Sequence, residues 1–515
     1  MRSRLSTHSI WRAGALVLPI MMFAAPVQAA EVNATNDPTH VWGAPILAVN
    51  PKNPNNIVLL SIGNGFTKAC AVQAATDPKS WCANMKTADG RDNNLGMMTN
   101  AKGFVMVAAF TSFDSGKTWK RTADVMEDGN VPVFPPNKYR GPAAADANGL
   151  TVTPNGTFYM AWDAVYFHPD TPMYATFGAI PISKSTDGGK TWSTPILTGS
   201  SPDGGRLVTD PATGVIYTFS SGMPGAGPMS LGDPNIRITK EKGHTGMSRH
   251  FLSSKDGVKW SKPHITGGDG ETMTVSHGLL ATSFRTTGET DYFAGGRSPS
   301  NNELCGNAPK PCVIFQTTKD NGVTWIRTVM AVPADYSGGL VAADPTKANH
   351  FAIAFTTNAN SELHVLRTED AGKTWKGPAK ISAEPGKAMG NVMITYGPKG
   401  DLGLAWRSRN APPRAPQAAP GATPGGGPGG GGQPRGPSNI FAALSKDGGA
   451  SFSQPLKINS AESPAPPTDR PFALSRDGGV NIALTSTDAF FAWPDWRTGE
   501  AALFFNALKL SDFKR

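Results

Sequence analysis

Six copies of one short pattern, Ser/Thr-x-Asp-x-Gly-x-Thr-Trp, run along this 515-residue chain and constrain its architecture more than any other feature. They centre on Asp114 (SFDSGKTW), Asp187 (STDGGKTW), Asp256 (SKDGVKW), Asp320 (TKDNGVTW), Asp370 (TEDAGKTW) and Asp447 (SKDGGASF). The chemistry is that of a tight turn between two strands. The Asp carboxylate accepts hydrogen bonds from backbone N–H groups just ahead of it, and glycine takes a positive φ without steric cost. The Trp that follows opens an outer strand and carries a large apolar face. One such turn is common, whereas six in sequence are a repeat architecture. The third copy lacks one residue and the sixth carries Phe452 in place of Trp.

Spacing gives the size of the unit. Successive Asp positions lie 73, 69, 64, 50 and 77 residues apart, and the last interval holds a 27-residue Pro/Gly/Ala stretch, 411–437. Without it that interval is 50, equal to the one before. Roughly 50 residues is the length of a four-stranded propeller blade. The 411–437 insert lacks the apolar content to order itself and reads as a flexible surface loop within one domain, 31–515.

Period-2 segments support an all-β chain: Phe104–Phe110, Thr157–Trp162, Val215–Phe219, Phe351–Phe355 and Leu402–Trp406, bounded by turn signals such as Asn155-Gly156. No long stretch has helical periodicity, and the 58 Gly and 44 Pro agree. Inner strands are expected near 44–50, 142–153, 205–210, 272–281, 338–344, 390–396 and 471–475, giving seven blades, with six as the alternative. The last unit has no turn of the repeat, so its missing outer strand is expected from the N-terminal end of the mature chain.

Residues 1–30 carry Arg2, Arg4 and Arg12, then the apolar run Ala13–Ala25, then Val27-Gln28-Ala29, the order of a secretory signal cleaved near Ala29 or Ala30. The run is too short, and interrupted by Pro19, for a membrane span. A secreted or periplasmic location follows, and there the pairs Cys70/Cys82 and Cys305/Cys312 are expected as local disulfides. Removing the signal takes the net charge from +9 to +6, with no basic block that would suggest nucleic acid. His244, His250 and His264 lack metal-ligand spacing, and no cofactor motif appears.

The repeat resembles the Asp-box (BNR) repeat of the sialidase superfamily, over essentially all of the mature chain. The resemblance implies a β-propeller whose Asp boxes are structural and lie away from the central cleft. It also implies a candidate exo-acting glycoside hydrolase for an acidic sugar. Such chemistry calls for arginines that bind a carboxylate through planar guanidinium forks, a Tyr nucleophile activated by a Glu, and an Asp acid/base. Tyr139-Arg140-Gly141-Pro142 resembles the Phe/Tyr-Arg-Ile-Pro signature, which makes Arg140 a substrate-binding candidate. Asp163 or Asp170 then stands where the family keeps its acid/base. The segment Glu271–Arg285 (ETMTVSHGLLATSFR) resembles the part that supplies the Glu and a second clamp arginine, and Tyr336-Ser337 resembles the nucleophile segment, with Tyr396 as competitor. Lys310 and Arg297 lie in the region of the third arginine, Arg297 being the substrate-binding candidate. Trp493-Pro494-Asp495-Trp496-Arg497 resembles a closing-blade packing motif. Asp boxes also occur in non-catalytic receptors, so the alternative is a propeller that binds a glycan, peptide or envelope partner without turnover.

Overall fold

The computed structural model describes residues 31–64, 75–77, 105–124, 140–167, 175–198, 203–221, 239–240, 248–261, 264–267, 270–286, 290–292, 296–298, 302–310, 312–330, 332, 337–357, 359–410, 436–466 and 479–514. Alternating apolar strands, each too short to bury itself, stack here as antiparallel sheets. Seven such sheets form a β-propeller. From the inside outwards, blade one is Val41–Val49, Ile57–Asn64, Val105–Ser112 and Lys120–Asp124, and blade two is Arg140–Val152, Phe158–Phe167, Ala175–Ser185 and Ile196–Thr198. Blade three is Asp203–Thr209, Ile216–Ser221, Ser248–Ser254 and His264–Gly267, with Thr239–Lys240 added outside it. Blade four is Gly270–Ser276, Leu279–Arg285, Val313–Thr318 and Ile326–Met330. Blade five is Ser337–Ala343, Phe351–Thr357, Glu362–Thr368 and Lys376–Ser382, and blade six is Lys387–Tyr396, Leu402–Asn410, Ser438–Ser445 and Leu456–Lys457.

Blade seven closes the ring. Its strands Asn481–Leu484, Asp488–Asp495 and Ala502–Lys509 receive Val32–Asn33 as the fourth, antiparallel to the third. The expectation of N-terminal closure and of seven blades therefore holds. The innermost strand of this blade is Asn481–Leu484 rather than 471–475, which lies outside the described residues. The insert at 411–437 falls within the hairpin between the second and third strands of blade six.

Packing follows the seams between blades. Each of the seven blade–blade contacts carries its own apolar cluster, for example Val58, Leu60, Val107 and Ala109 of blade one against Phe158, Met160 and Trp162 of blade two. The inner strands expose one backbone edge towards the axis, and polar side chains of neighbouring blades satisfy part of it. Thr272 and Thr274 accept from the N–H groups of Val341 and Ala343 at 3.2 and 3.0 Å, and Asn481 accepts from that of Leu47 at 3.2 Å.

Five of the six repeated turns use the same geometry. In the first, Ser112 and Thr118 donate their hydroxyls to Asp114 at 2.8 and 2.6 Å, and the Thr118 N–H donates at 2.9 Å. In the shortened third copy, Asp256 instead accepts from the N–H groups of Val258 and Lys259, both at 2.8 Å. The glycines show what the turns rest on. A Cβ at Gly116 would lie 2.0 Å from the Phe505 ring of blade seven, at Gly189 2.7 Å from Val58 of blade one, at Gly257 2.0 Å from Tyr159 of blade two, and at Gly372 2.4 Å from Phe315 of blade four. Each of these turns therefore docks against the blade before it, and the first docks across the closure. Trp119, Trp325 and Trp375 follow the same rule, with ring centroids 5.1 Å from Phe505, Phe251 and Phe315.

These turns also carry acid sensitivity. Slight burial would raise the Asp187 carboxyl, but hydrogen bonds from the Thr191 hydroxyl and N–H and from Ser185 outweigh it and hold the group at about 2 against an ordinary 3.8. Asp370 is likewise held at about 2, chiefly by the Thr374 hydroxyl and N–H. A depressed carboxyl contributes stability that is fully present above the unfolded-state pKa and is lost as the pH falls through the folded one. The melting temperature is therefore expected to fall between about pH 4 and pH 2, and Asp370→Asn is expected to flatten part of that slope in a thermal melt series. An unchanged slope would count against the turn as its source.

Candidate active site on the strand-entry face

Antiparallel connection gives the ring two unlike faces. Every inner strand starts on one face and ends on the other. The face where inner strands end carries the turns between first and second strands and between third and fourth, and so carries the six Asp turns. The opposite, entry face carries the connections into each inner strand and those between second and third strands.

The sequence-predicted residues map onto the entry face at the level of the backbone. Arg140 is the first residue of the inner strand of blade two and pairs with Phe167. Asp163 lies in the entry-side half of the second strand of the same blade. Glu271 is the second residue of the inner strand of blade four, and Arg285 ends the strand beside it, where Gly270 pairs with Phe284. Arg297 lies in the small hairpin Thr290–Tyr292/Gly296–Ser298 that leaves blade four on this face. The side chains of these five residues, and Tyr336 and Asp170 altogether, lie outside the described residues, as do Cys70 and Cys82. Tyr336 immediately precedes the inner strand of blade five, Ser337–Ala343. Blade three stands between the blades of Arg140 and Glu271, so these are two steps of about 51° apart around a seven-fold ring.

Tyr396 does not compete for the nucleophile's role. It ends the inner strand of blade six on the opposite face, and its hydroxyl donates to the Gly448 carbonyl at 3.2 Å. Burial raises its phenol well above the ordinary range, so it stays protonated and acts as a strut.

A disulfide fixes the blade-four part of this face. Cys305 and Cys312 are bonded, with Cα atoms 5.8 Å apart, and both are buried. The Thr286 hydroxyl accepts from the Cys312 N–H at 2.9 Å and lies 3.2 Å from the Cys305 sulfur. The staple therefore closes directly against the residue after Arg285. Lys310 lies exposed on the stapled loop.

Other charged groups of the entry face are described with their side chains, and they are engaged with one another. Burial would raise Asp37, but its bond to His40 at 2.8 Å, with help from Thr39, takes it down to about 2, and Arg121 adds a contact at 3.3 Å. Asp495, fully buried, accepts from Trp493 Nε1 at 3.1 Å and from Arg497 at 2.6 Å, which outweighs burial and lowers its carboxyl. Arg497 continues to Glu31 at 2.5 Å and lies over the Phe504 ring. Thus the Trp493–Arg497 motif packs, as expected, and also clamps the N-terminal strand. Glu362 binds Lys380 at 2.5 Å and His364 at 3.3 Å.

Sequence reasoning missed Arg407. Only 1 % exposed, it donates to Ser438 Oγ at 2.8 Å and to the Pro494 carbonyl of blade seven at 2.7 Å. The sole signal was a cation inside an apolar strand (LAWRS), and a buried guanidinium is costly unless its donors are used. Among the described residues, no group of three or more His, Cys, Asp or Glu could hold a metal ion, and no helix is long and apolar enough to cross a membrane.

The fold is a seven-bladed β-propeller. No family model matches the chain, and no curated protein matches it. Among solved structures it is similar to a Hadza microbial sialidase, Hz136, at 16 % identity over 79 % of this chain and 74 % of that one, with a TM-score of 0.39. A protein of unknown function from Dyadobacter fermentans matches at 14 % identity over 94 % and 98 %, TM-score 0.39. The α-L-arabinofuranosidase of Fusarium graminearum, of family GH93, matches at 13 % over 74 % and 98 %, TM-score 0.37. Likenesses this distant carry no assignment of chemistry.

Proposed function

We propose that this propeller is a secreted, exo-acting glycoside hydrolase of sialidase type, with its site on the entry face. One observation carries the reading: the strand topology sends the backbone positions of Arg140, Asp163, Glu271 and Arg285 to the same face of the ring, the face free of the Asp turns. Residues scattered over more than a hundred positions of sequence thereby share one end of the axis. Arg140, Arg285 and Arg297 would hold the carboxylate of an acidic sugar. Glu271 would take the phenolic proton of Tyr336 as its oxygen attacks the anomeric carbon, while Asp163 or Asp170 protonates the departing glycosidic oxygen. Water then cleaves the glycosyl–tyrosine bond, the same Asp accepting its proton while Glu271 returns the phenolic proton to the departing Tyr336 oxygen. Secretion accords with the buried Cys305–Cys312 disulfide, since such bonds persist in oxidising compartments.

Hydrolysis of fluorogenic sialosides tests the proposal. Wild type is expected to turn over. Tyr336→Phe should lower kcat by about a thousandfold or more, and Arg285→Ala should lower kcat/KM by about a hundredfold. Wild-type inactivity on several linkages would sink the reading. If a sialoside were then bound without turnover, the non-catalytic alternative would take its place.

A further inference from the structure

The face that bears the Asp turns has a cavity of its own. It measures about 510 Å³ and is an open cleft lined by the last residues of all seven inner strands and the turns that follow them. Five prolines, Pro51, Pro154, Pro211, Pro345 and Pro398, each immediately after or near the end of an inner strand, surround it. The rest of the wall is aliphatic, with threonine hydroxyls and Tyr396. Among the described residues, no Asp, Glu, Lys, Arg or His lines it. Two carboxylates lie buried near it: Asp210, accepting from the N–H groups of His277 at 3.1 Å, Gly278 at 2.7 Å and Ala212 at 3.0 Å and from the Thr213 hydroxyl at 2.8 Å, and Asp344, accepting from the Thr346 N–H at 2.8 Å and its hydroxyl at 2.6 Å.

Two polar groups in this wall have capacity left. Thr209 of blade three accepts the Thr151 hydroxyl at 3.0 Å, and Thr274 of blade four accepts the Ala343 N–H at 3.0 Å. Each therefore uses its oxygen as an acceptor, and each still has a hydroxyl proton to donate. Ligand sites are concave, mostly apolar and oriented by a few polar groups, and they span roughly 300–1,000 Å³. An uncharged wall makes a charged ligand costly to desolvate, so a neutral one is favoured.

We infer that this cavity is a second ligand site, distinct from the entry-face site, for an uncharged, mainly apolar small molecule bearing one or two hydrogen-bond acceptor oxygens. The acceptors take the protons of Thr209 and Thr274, and the apolar body lies against the proline and valine ring. The site does not depend on any catalytic role for the opposite face.

Nile red, neutral, apolar and carrying a carbonyl oxygen, is a suitable probe, read by fluorescence titration of the full chain. Saturable one-to-one enhancement is expected. Val208→Trp, which fills the cavity from blade three, should weaken it at least about tenfold, and Thr209→Val about three- to tenfold, the worth of one hydrogen bond. Free sialic acid, an anion, should not displace the dye. Circular dichroism melts show whether each variant stays folded, and Thr274→Val provides a second hydroxyl deletion if Thr209→Val does not. Non-saturable binding, binding unmoved by Val208→Trp in a folded protein, or competition by sialic acid would each overturn the inference. Sialoside hydrolysis unchanged in Val208→Trp would show the two sites to be separate, whereas inactivity of the wild type would leave the dye result standing by itself.

Discussion

Gly116→Ala is expected to destabilise the propeller by about 3 kcal/mol or more, from overpacking and left-handed backbone strain together. Gly116 has φ +86°, and a methyl group there would lie 2.0 Å from Cε1 of Phe505. It cannot be relieved locally, because Phe505 is buried between Phe490, 5.9 Å away, and Trp119, 5.1 Å away, in the seam between blades seven and one. That seam is where the ring closes. The control is Gly499→Ala, at φ +91° with no atom within 4 Å of the added carbon, which isolates backbone strain. Denaturant titration of both variants checks the claim. If Gly116→Ala lost no more stability than Gly499→Ala, docking of the turn onto blade seven would not be what holds that seam.

Asp495→Ala is expected to cost about 3–5 kcal/mol, the usual penalty for removing one partner of a buried, hydrogen-bonded pair. The carboxylate is fully buried and binds Trp493 Nε1, the Arg497 N–H at 3.0 Å and the Arg497 guanidinium at 2.6 Å. Arg497 in turn holds Glu31 at the start of the closing strand and donates to the Ala461 carbonyl at 3.1 Å. Loss of Asp495 thus loosens both blade seven and its N-terminal strand. A double-mutant cycle with Glu31→Gln measures the coupling, expected to exceed about 0.5 kcal/mol because the two acids share one arginine. Strict additivity would show that the closure and the blade are held independently.

Much of the ring was legible beforehand, for a physical reason. A hairpin turn is a local object: the Asp, the hydroxyls and the glycine that satisfy it lie within seven residues, so its signature survives in sequence, even in the shortened copy at Asp256. The seventh blade was harder. It lacks that turn, and its inner strand lies about ten residues beyond the expected place, because Asn481–Leu484 is only four residues long. A closing strand from the N-terminal end is expected only from the need to complete a sheet; the structure makes it Val32–Asn33, and the Glu31–Arg497–Asp495 clamp that secures it bridges more than 460 positions.

The sequence by itself determined the blade repeat and the strand period, since each depends on side chains near one another along the chain, and it favoured seven blades over six, a count that the closing strand pair decided. Tertiary structure alone decided which face each group occupies, what each Asp turn packs against, that Tyr396 is a strut, and that Arg407 joins blades six and seven. It alone revealed the uncharged cavity at the ends of the inner strands. Those facts are contacts between blades, and the residues that make them lie some 50 to 470 positions apart, where no local pattern can record them.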